Sequence, residues 1–233
     1  MRYRQKKGGL MFEQKIIQIN SYIPPLYRYL EKQFVDLFFT MGILRISSFE
    51  HFAAHPNETR LDTQEGRANL IGNCQNSDMR VEIGFGIGNC FVLCTSLLKS
   101  KNLANKFKVN SCFRINNYNG FMISVIEALQ ANNYNIIGGL HGICKYVDKR
   151  EIVSTIEQKD IDKINIKDNT MNFNALFELG AKIANNDIYF IKMNNYAEEH
   201  EYRMIWNTNN KNIPKYVDLY VPNAVQFCEK VEI

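Results

Sequence analysis

Long apolar runs are missing from this sequence, and no window of its 233 residues approaches the length needed to span a bilayer. The 6 cysteines are scattered and include no CxxC pair, so their spacing predicts neither a zinc site nor a disulfide framework. Glycines and mixed sequence follow the basic residues at positions 1–7, so no secretory signal is predicted. Together these absences predict a cytoplasmic protein without membrane association, whose cysteines are buried free thiols.

A strong charge of one sign is also lacking, because 28 Lys and Arg residues against 24 Asp and Glu residues leave a formal charge of +4. This excess permits an anionic partner such as RNA, DNA or a dinucleotide but does not require one. The hydrophobic fraction of 45% and the aromatic fraction of 12% supply material for a substantial core. With no internal repeat or linker, we expect a single α+β domain over residues 10–233, after a disordered basic tail over residues 1–9.

Local patterns along the chain predict a mixture of helices and strands. Apolar residues at helical spacing predict helices over residues 31–41, 120–131 and 172–184, the first ending at a Gly42 C-cap. Apolar and β-branched runs predict strands over residues 26–30, 43–47, 80–98, 111–116, 139–147, 188–193, 201–206 and 216–221. Residues 51–76 are polar and poorly periodic, which indicates a loop with at most one helical turn. The glycines at 84–88 depart from G-x-G-x-x-G and precede a strand, which excludes a dinucleotide-binding loop and favours a tight backbone turn.

The segment 199–206 carries the clearest candidate for chemistry. On a strand, Glu199, Glu201 and Arg203 would share one face, and the opposite, largely apolar face would carry His200, Tyr202, Met204 and Trp206. The two carboxylates would lie about 6.6 Å apart along the strand. A solvent-facing polar side of an edge strand is the alternative interpretation of this pattern.

Three motifs in a fixed order add to this pattern: Tyr27-Arg28, then Thr95-Ser96 after CFVLC, then Glu199-His200-Glu201. In this order they resemble the ADP-ribosyltransferases of the Arg–Ser–Glu type. The resemblance implies a split, mixed or antiparallel β-sheet core flanked by helices. The GILRIS strand, and Lys192 followed by the segment 199–203, also resemble a broad uncharacterised bacterial domain group linked to phage resistance.

The resemblance implies NAD as co-substrate and gives each motif a role. Arg28, with Tyr27, would bind the pyrophosphate or the adjoining ribose through the planar fork of its guanidinium. Ser96, with Thr95, would hydrogen-bond the active-site strand or the nicotinamide ribose. A half-exposed strand arginine and a satisfied strand-end hydroxyl are the structural alternatives for Arg28 and Ser96.

The two glutamates receive separate roles from the resemblance. Glu201 would bind the ribose 2′-hydroxyl and stabilise positive charge at the anomeric carbon as nicotinamide leaves. Glu199 would orient the acceptor or take its proton, helped by a proton affinity that the neighbouring carboxylate raises.

The implied function is a bacterial toxin or phage-defence effector that modifies RNA, DNA or protein, is neutralised by an antitoxin protein, and requires no metal. A non-catalytic nucleic-acid- or protein-binding module on the same fold is the alternative.

Further candidates surround these motifs. Arg60, Asp62 and Glu65 could shape a loop for NAD or the acceptor, and Arg203 is a further acceptor candidate. Asp62 and Glu65 also leave open a solvated loop or the metal site of a nuclease. Arg45 could join Arg28 on a phosphate or pair with a carboxylate. Two lysines, Lys145 and Lys192, can be interpreted simply as surface residues.

Overall fold

The computed structural model describes residues 24–53, 62–164 and 171–233. The strands are β1 (Leu26–Leu30), β2 (Ile43–Ser48), β3 (Arg67–Cys74), β4 (Arg80–Gly86), β5 (Cys90–Ser96), β6 (Ser111–Ile115), β7 (Ile136–Ile143), β8 (Lys145–Val147), β9 (Glu151–Ile156), β10 (Ile191–Met193), β11 (Glu201–Thr208), β12 (Tyr216–Tyr220) and β13 (Cys228–Val231). The helices are α1 (Lys32–Met41), α2 (Phe49–Ala53), α3 (Lys101–Lys106), α4 (Tyr118–Ala131), α5 (Gln158–Ile164), α6 (Phe173–Ala184) and α7 (Pro222–Val225), with 3₁₀ turns at Asp187–Tyr189 and Asn194–Glu199. The predicted tail at residues 1–9 and Arg60 lie outside the described residues.

The main sheet has eight strands and splits at its centre. One edge of β5 pairs with β11 along its whole length. The other edge is shared by two strands, because β2 pairs at Phe91 and Val92 while β1 pairs at Ser96. Residues 93–95 of this edge pair with neither β1 nor β2, so these two strands diverge and leave an opening. The paths β7-β11-β5-β1-β6-β13 and β12-β2-β5 therefore meet at β5, and every pairing in them is antiparallel.

Helices cover one face of the main sheet and form its core. Alternate residues of β11 point into this core, in which Met204 and Trp206 are fully buried. From α1 the core receives Val35 and Phe38, spaced three residues apart on one helix face. The predicted C-cap is confirmed, since Gly42 is left-handed with φ 68° and its N–H donates to the carbonyl of Phe38 at 2.9 Å.

A smaller sheet and a second apolar core lie beside the first. Strand β3 pairs antiparallel with β4 and parallel with β9, and a further parallel pair joins β8 to β10. Helices α5 and α6 supply apolar residues that pack with this three-stranded sheet. The predicted mixture of helices with antiparallel and mixed sheets is thus confirmed. In the described part of the chain, no helix is long and apolar enough to cross a membrane.

The segment predicted as a loop over residues 51–76 is largely wrong. It holds most of α2 and the whole of β3, whose partners lie outside the segment on β4 and β9. The tight turn expected at residues 84–88 is also wrong, because Gly84 and Gly86 lie in extended β4. Among the described glycines, positive φ occurs at Gly42 and Gly66 alone.

Candidate functional site

The split in the main sheet opens into a cleft of about 490 Å³, called the first cleft, lined by residues of β1, α1, β2, β5 and β11 and by Lys192, Tyr196 and Glu199. Three of the sequence motifs meet here. Tyr27 of β1 lies opposite Ser96 of β5, which in turn lies opposite Glu201 of β11. Arg28, Ser96 and Glu201 therefore reach one cleft from three neighbouring strands, although they are far apart in the sequence.

Arg28 lies at the unpaired edge of β5. Its Nη1 donates to the backbone carbonyl of Cys94 at 2.6 Å, inside the stretch that neither β1 nor β2 pairs. A buried carbonyl needs a donor, and the guanidinium supplies one where the β-ladder is interrupted. Arg28 and its neighbour Tyr27 both line the first cleft, where their side chains are partly buried.

The hydroxyls of Thr95 and Ser96 fix the backbone of the segment that carries the two carboxylates. Thr95 donates to the carbonyl of Tyr202 at 2.9 Å, and Ser96 donates to the carbonyl of Glu199 at 2.8 Å. Ser96 also accepts from the N–H of Leu98 at 3.0 Å. Both side chains are buried yet line the first cleft, so they hold this wall of the cleft in place.

The two glutamates are not neighbours on one strand face, as the sequence suggested. Glu199 ends the 3₁₀ turn Asn194–Glu199, His200 is left-handed with φ 44°, and β11 begins only at Glu201. The edge-strand alternative is wrong as well, because β11 lies between β5 and β7 and the two glutamates are only 5% and 4% exposed. Lys192 brings them together: its Nζ donates to Glu199 Oε2 at 2.7 Å and also to Glu201 Oε2.

Lys192, which lines the cleft, is one of three cations with buried side chains at this site, and its interpretation as a surface lysine is wrong. Lys192 is 7% exposed. By contrast, Lys145 of β8, which lies opposite Ile191 in the pairing of β8 with β10, is exposed and donates to Asp187 at 2.7 Å. The second cation is Arg203, whose Nε donates to the other oxygen of Glu201, Oε1, at 2.5 Å. Arg203 is 1% exposed, so it supports Glu201 from beneath and does not present itself to an acceptor.

The third cation, Arg150, extends the charges toward the smaller sheet. Arg203 Nη2 lies 3.0 Å from Glu65 Oε1, and Arg150 Nη1 lies 3.7 Å from the same oxygen. Arg150 also pairs with Asp62. The ionic chain is the name used below for this set: Lys192, Glu199, Glu201, Arg203, Glu65, Arg150 and Asp62.

Asp62 and Glu65 are therefore not part of a solvated loop. They are 8% and 7% exposed, and both are held by buried arginines. Burial raises the pKa of Glu65 in spite of the nearby positive charge of Arg203 and Lys192. Among the residues that the structure describes, no group of three or more His, Cys, Asp or Glu side chains is arranged to hold a metal ion.

The electrostatics of the cleft separate the two glutamates. Burial would raise the pKa of Glu201, but the adjacent Arg203 and Lys192 outweigh it and hold that pKa well below its ordinary value of 4.5. For Glu199 burial dominates, and it raises the pKa despite Lys192. Glu201 is thus the carboxylate whose ionised form is favoured, and Glu199 is the one with the greater affinity for a proton.

Arg45 pairs with a carboxylate, which was one of the two roles expected for it. It lies opposite Asp218 in the pairing of β2 with β12, and its Nε and Nη2 donate to the two carboxylate oxygens at 2.6 and 2.7 Å. The Tyr216 ring centroid lies 4.2 Å from its guanidinium carbon. Arg45 lines the first cleft from this fixed position.

No family model, no curated protein and no solved structure matches this chain. The function of the site is therefore inferred from its geometry.

Two residues of the ionic chain were missed in the sequence for different reasons. Lys192 belongs to the segment that resembles the bacterial domain group, but its burial was not predicted. The signal for that burial was the short apolar run directly before it in the sequence. Arg150 gave no signal, since it follows the polar residues 148–149 and becomes buried only when β9 pairs with β3. The complete arrangement offers an arginine for an anion, an ionised carboxylate for a developing cation, and a second carboxylate suited to accept a proton.

Proposed function

We propose that this protein is an NAD-dependent ADP-ribosyltransferase, of the toxin or phage-defence kind that the sequence resemblance implies. The observation that carries the proposal is the convergence of Arg28, Ser96 and Glu201 from three neighbouring strands on one cleft. A helix-flanked sheet that divides between β1 and β2 along β5 is in keeping with the split sheet implied by the same resemblance.

The residue types of the first cleft suit NAD as a substrate. The Arg28 guanidinium carries charge and a planar set of donors that match a pyrophosphate. The rings of Phe34 and Phe52 line the same cleft and offer apolar surface to a flat base. The volume of about 490 Å³ lies within the range of small-molecule and cofactor sites.

In the proposed reaction, the bond between nicotinamide and C1′ of the ribose breaks, and the bonding electrons leave with nicotinamide. Positive charge grows at C1′, where the ionised Glu201 lowers its energy more than that of the ground state. The nucleophile of the acceptor forms the new bond to C1′ and loses its proton to Glu199. The products are the ADP-ribosylated acceptor, nicotinamide and one proton.

Lys192 and Arg203 favour a second candidate, a non-catalytic nucleic-acid- or protein-binding module on this fold. Both cations bond to Glu201, so much of its negative charge is already neutralised. Under the transferase proposal these cations keep Glu201 ionised and fixed in orientation. Under the module proposal they make Glu201 a structural residue, and NAD turnover separates the two.

The test incubates the purified protein with NAD labelled in its adenylate half, in the presence of total RNA or cell extract. We expect nicotinamide release and transfer of label by the wild type, and a decrease of about 10²- to 10³-fold in kcat for Glu201→Gln. Glu229→Gln is the matched control, because Glu229 lies on the edge strand β13, outside the first cleft, and pairs with Arg114 of β6.

A second variant guards against loss of fold in Glu201→Gln, which leaves two buried cations short of a partner. Glu199→Gln keeps the ionised carboxylate, and we expect it to lower transfer to the acceptor more than nicotinamide release. Circular dichroism and urea unfolding establish the folded fraction of each variant. Absence of NAD consumption by the folded wild type with every acceptor preparation would favour the binding module.

A further inference from the structure

Glycines at every second position clear one face of β4. Gly84 and Gly86 lie in this strand, and a Cβ added at Gly84 would meet nothing within 4 Å. The intervening Phe85 points the opposite way, toward α6, where its ring centroid lies 5.5 Å from that of Phe177. Glycine inside a strand weakens the strand and often marks a place where a ligand approaches the backbone.

A second cleft, of about 1100 Å³, opens over this bare strand. On its floor, Asn69 and Arg67 of β3 lie opposite Gly84 and Gly86 in the strand pairing. The facing wall comes from the segments around β8 and β10, with the side chains of Asp148, Arg150, Asn194, Asn195 and Tyr196. The first and second clefts share two lining residues, Asp62 and Tyr196, and are therefore neighbours.

The charges in the second cleft are mostly satisfied within the protein. Asp62 pairs with Arg150, and Asp148 accepts from the amide nitrogen of Asn194. Arg67 is exposed and makes no ion pair with any residue in the described ranges. The cleft thus combines bare peptide backbone, side-chain amides, one tyrosine ring and one available cation.

We infer that the second cleft binds the acceptor of the proposed transferase, and that this acceptor is a base of a single-stranded nucleic acid. The acceptor role rests on the proposed function, because transfer requires the acceptor to reach C1′ from a neighbouring site. A flat base can lie against the strand face left bare at Gly84 and Gly86, and the amides of Asn69 and Asn195 match the donors and acceptors on its edge. Arg67 supplies the contact for a backbone phosphate.

An arginine or lysine side chain of a protein fits this cleft less well as an acceptor. Its positive charge would need a carboxylate to pair with, and Asp62 and Asp148 already have partners. The nitrogen of a neutral base requires no such counterion. It would attack C1′ as nicotinamide departs, and it would give up its proton as in the reaction above.

The test compares Gly84→Val with Gly88→Val. A Cβ added at either glycine meets nothing within 4 Å, neither has positive φ, and Gly88 lines neither of the two clefts. Binding of fluorescent single-stranded RNA, single-stranded DNA and an abasic strand of equal length is measured by anisotropy, and binding of NAD is measured separately by calorimetry. We expect Gly84→Val to weaken binding of the base-containing strand about tenfold or more, to leave NAD binding unchanged, and Gly88→Val to behave like the wild type.

Each alternative outcome decides a different point. Equal binding of the abasic strand, or full binding of RNA and DNA by Gly84→Val, would overturn the base-binding cleft. The same holds if the wild type binds neither nucleic acid and transfers its label to protein. If the wild type binds no NAD while Gly84→Val alone loses nucleic acid, the second cleft stands and the transferase proposal fails.

Discussion

Glu201 and Arg203 lie two positions apart on β11 and join Oε1 to Nε at 2.5 Å, with both side chains almost completely buried. The pair lies on the face of β11 opposite Met204 and Trp206, and the Arg203 guanidinium carbon lies 5.5 Å from the ring centroid of Phe49. Burying two charges is unfavourable unless each finds further partners. Lys192 and Glu65 are those partners, and they make the charge of Glu201 depend on residues from separate parts of the chain.

Substitution of Lys192 by Met should lower the free energy of unfolding by about 3–5 kcal/mol. Met has similar length but no charge, so Glu199 and Glu201 would lose the ammonium that both accept from. Urea unfolding measures the change. Lys145→Met is the control: its exposed pair with Asp187 contributes about 0–1 kcal/mol. Equal losses in the two variants would show that the buried position of Lys192 adds nothing.

Substitution of Arg28 by Lys should raise KM for NAD about tenfold, with a smaller change in kcat. Lysine keeps the charge but loses the planar fork, which must serve both the Cys94 carbonyl and the substrate. Steady-state nicotinamide release measures both constants. The control is Arg114→Lys, because Arg114 lies on the neighbouring β6 and pairs with Glu229 of β13. This variant should leave kcat and KM unchanged. An unaltered KM for Arg28→Lys would remove Arg28 from the substrate site.

The pH dependence of stability should have opposite signs for the two glutamates. The pKa of Glu201 is lowered in the folded state, so its stabilising contribution is present above its ordinary value of 4.5 and is lost as the pH falls below it. The stability difference between wild type and Glu201→Gln should therefore shrink in acid. The pKa of Glu199 is raised, so its favourable contribution is lost as the pH rises above 4.5, and Glu199→Gln should gain stability relative to wild type.

Urea unfolding of the three proteins, on both sides of the ordinary glutamate pKa, measures these differences. The Glu229→Gln variant is the control for the loss of an exposed carboxylate at the edge of the sheet. Parallel pH profiles for Glu199→Gln and Glu201→Gln would show that the two carboxylates share one environment, against the division of roles proposed for them.

Most strands of the main sheet could be predicted from local patterns, whereas β3 and β9 of the smaller sheet could not. Strand β1 and its following helix carry their signals in adjacent residues, namely the aromatic run, the apolar spacing and Gly42. Strand β3 has a weak pattern and gains its stability from β9, where Asn69 lies opposite Glu151, far away in the sequence. Such parallel pairs depend on the whole fold, so no local run of residues reveals them.

The site was predictable in its residue types and not in its connections. The order of Arg28, Ser96 and Glu201 placed them on three strands, and the structure joins these strands at one cleft. The left-handed backbone of His200 separates Glu199 from the strand that begins at Glu201. The residue type of position 200 does not predict this positive φ. The further partners of the Glu201–Arg203 pair come from β10 and from the residues before β3, so the burial of this pair arises only in the folded chain.

The ionic chain also constrains how this sequence can change over evolutionary time. Loss of one member leaves an uncompensated charge in the interior, whereas reversal or joint removal of both members of a pair restores neutrality. In divergent copies of this protein, positions 62 and 150, 65 and 203, and 192 and 201 should consequently vary together. Selection should act most strongly against a substitution that changes only one member of such a pair.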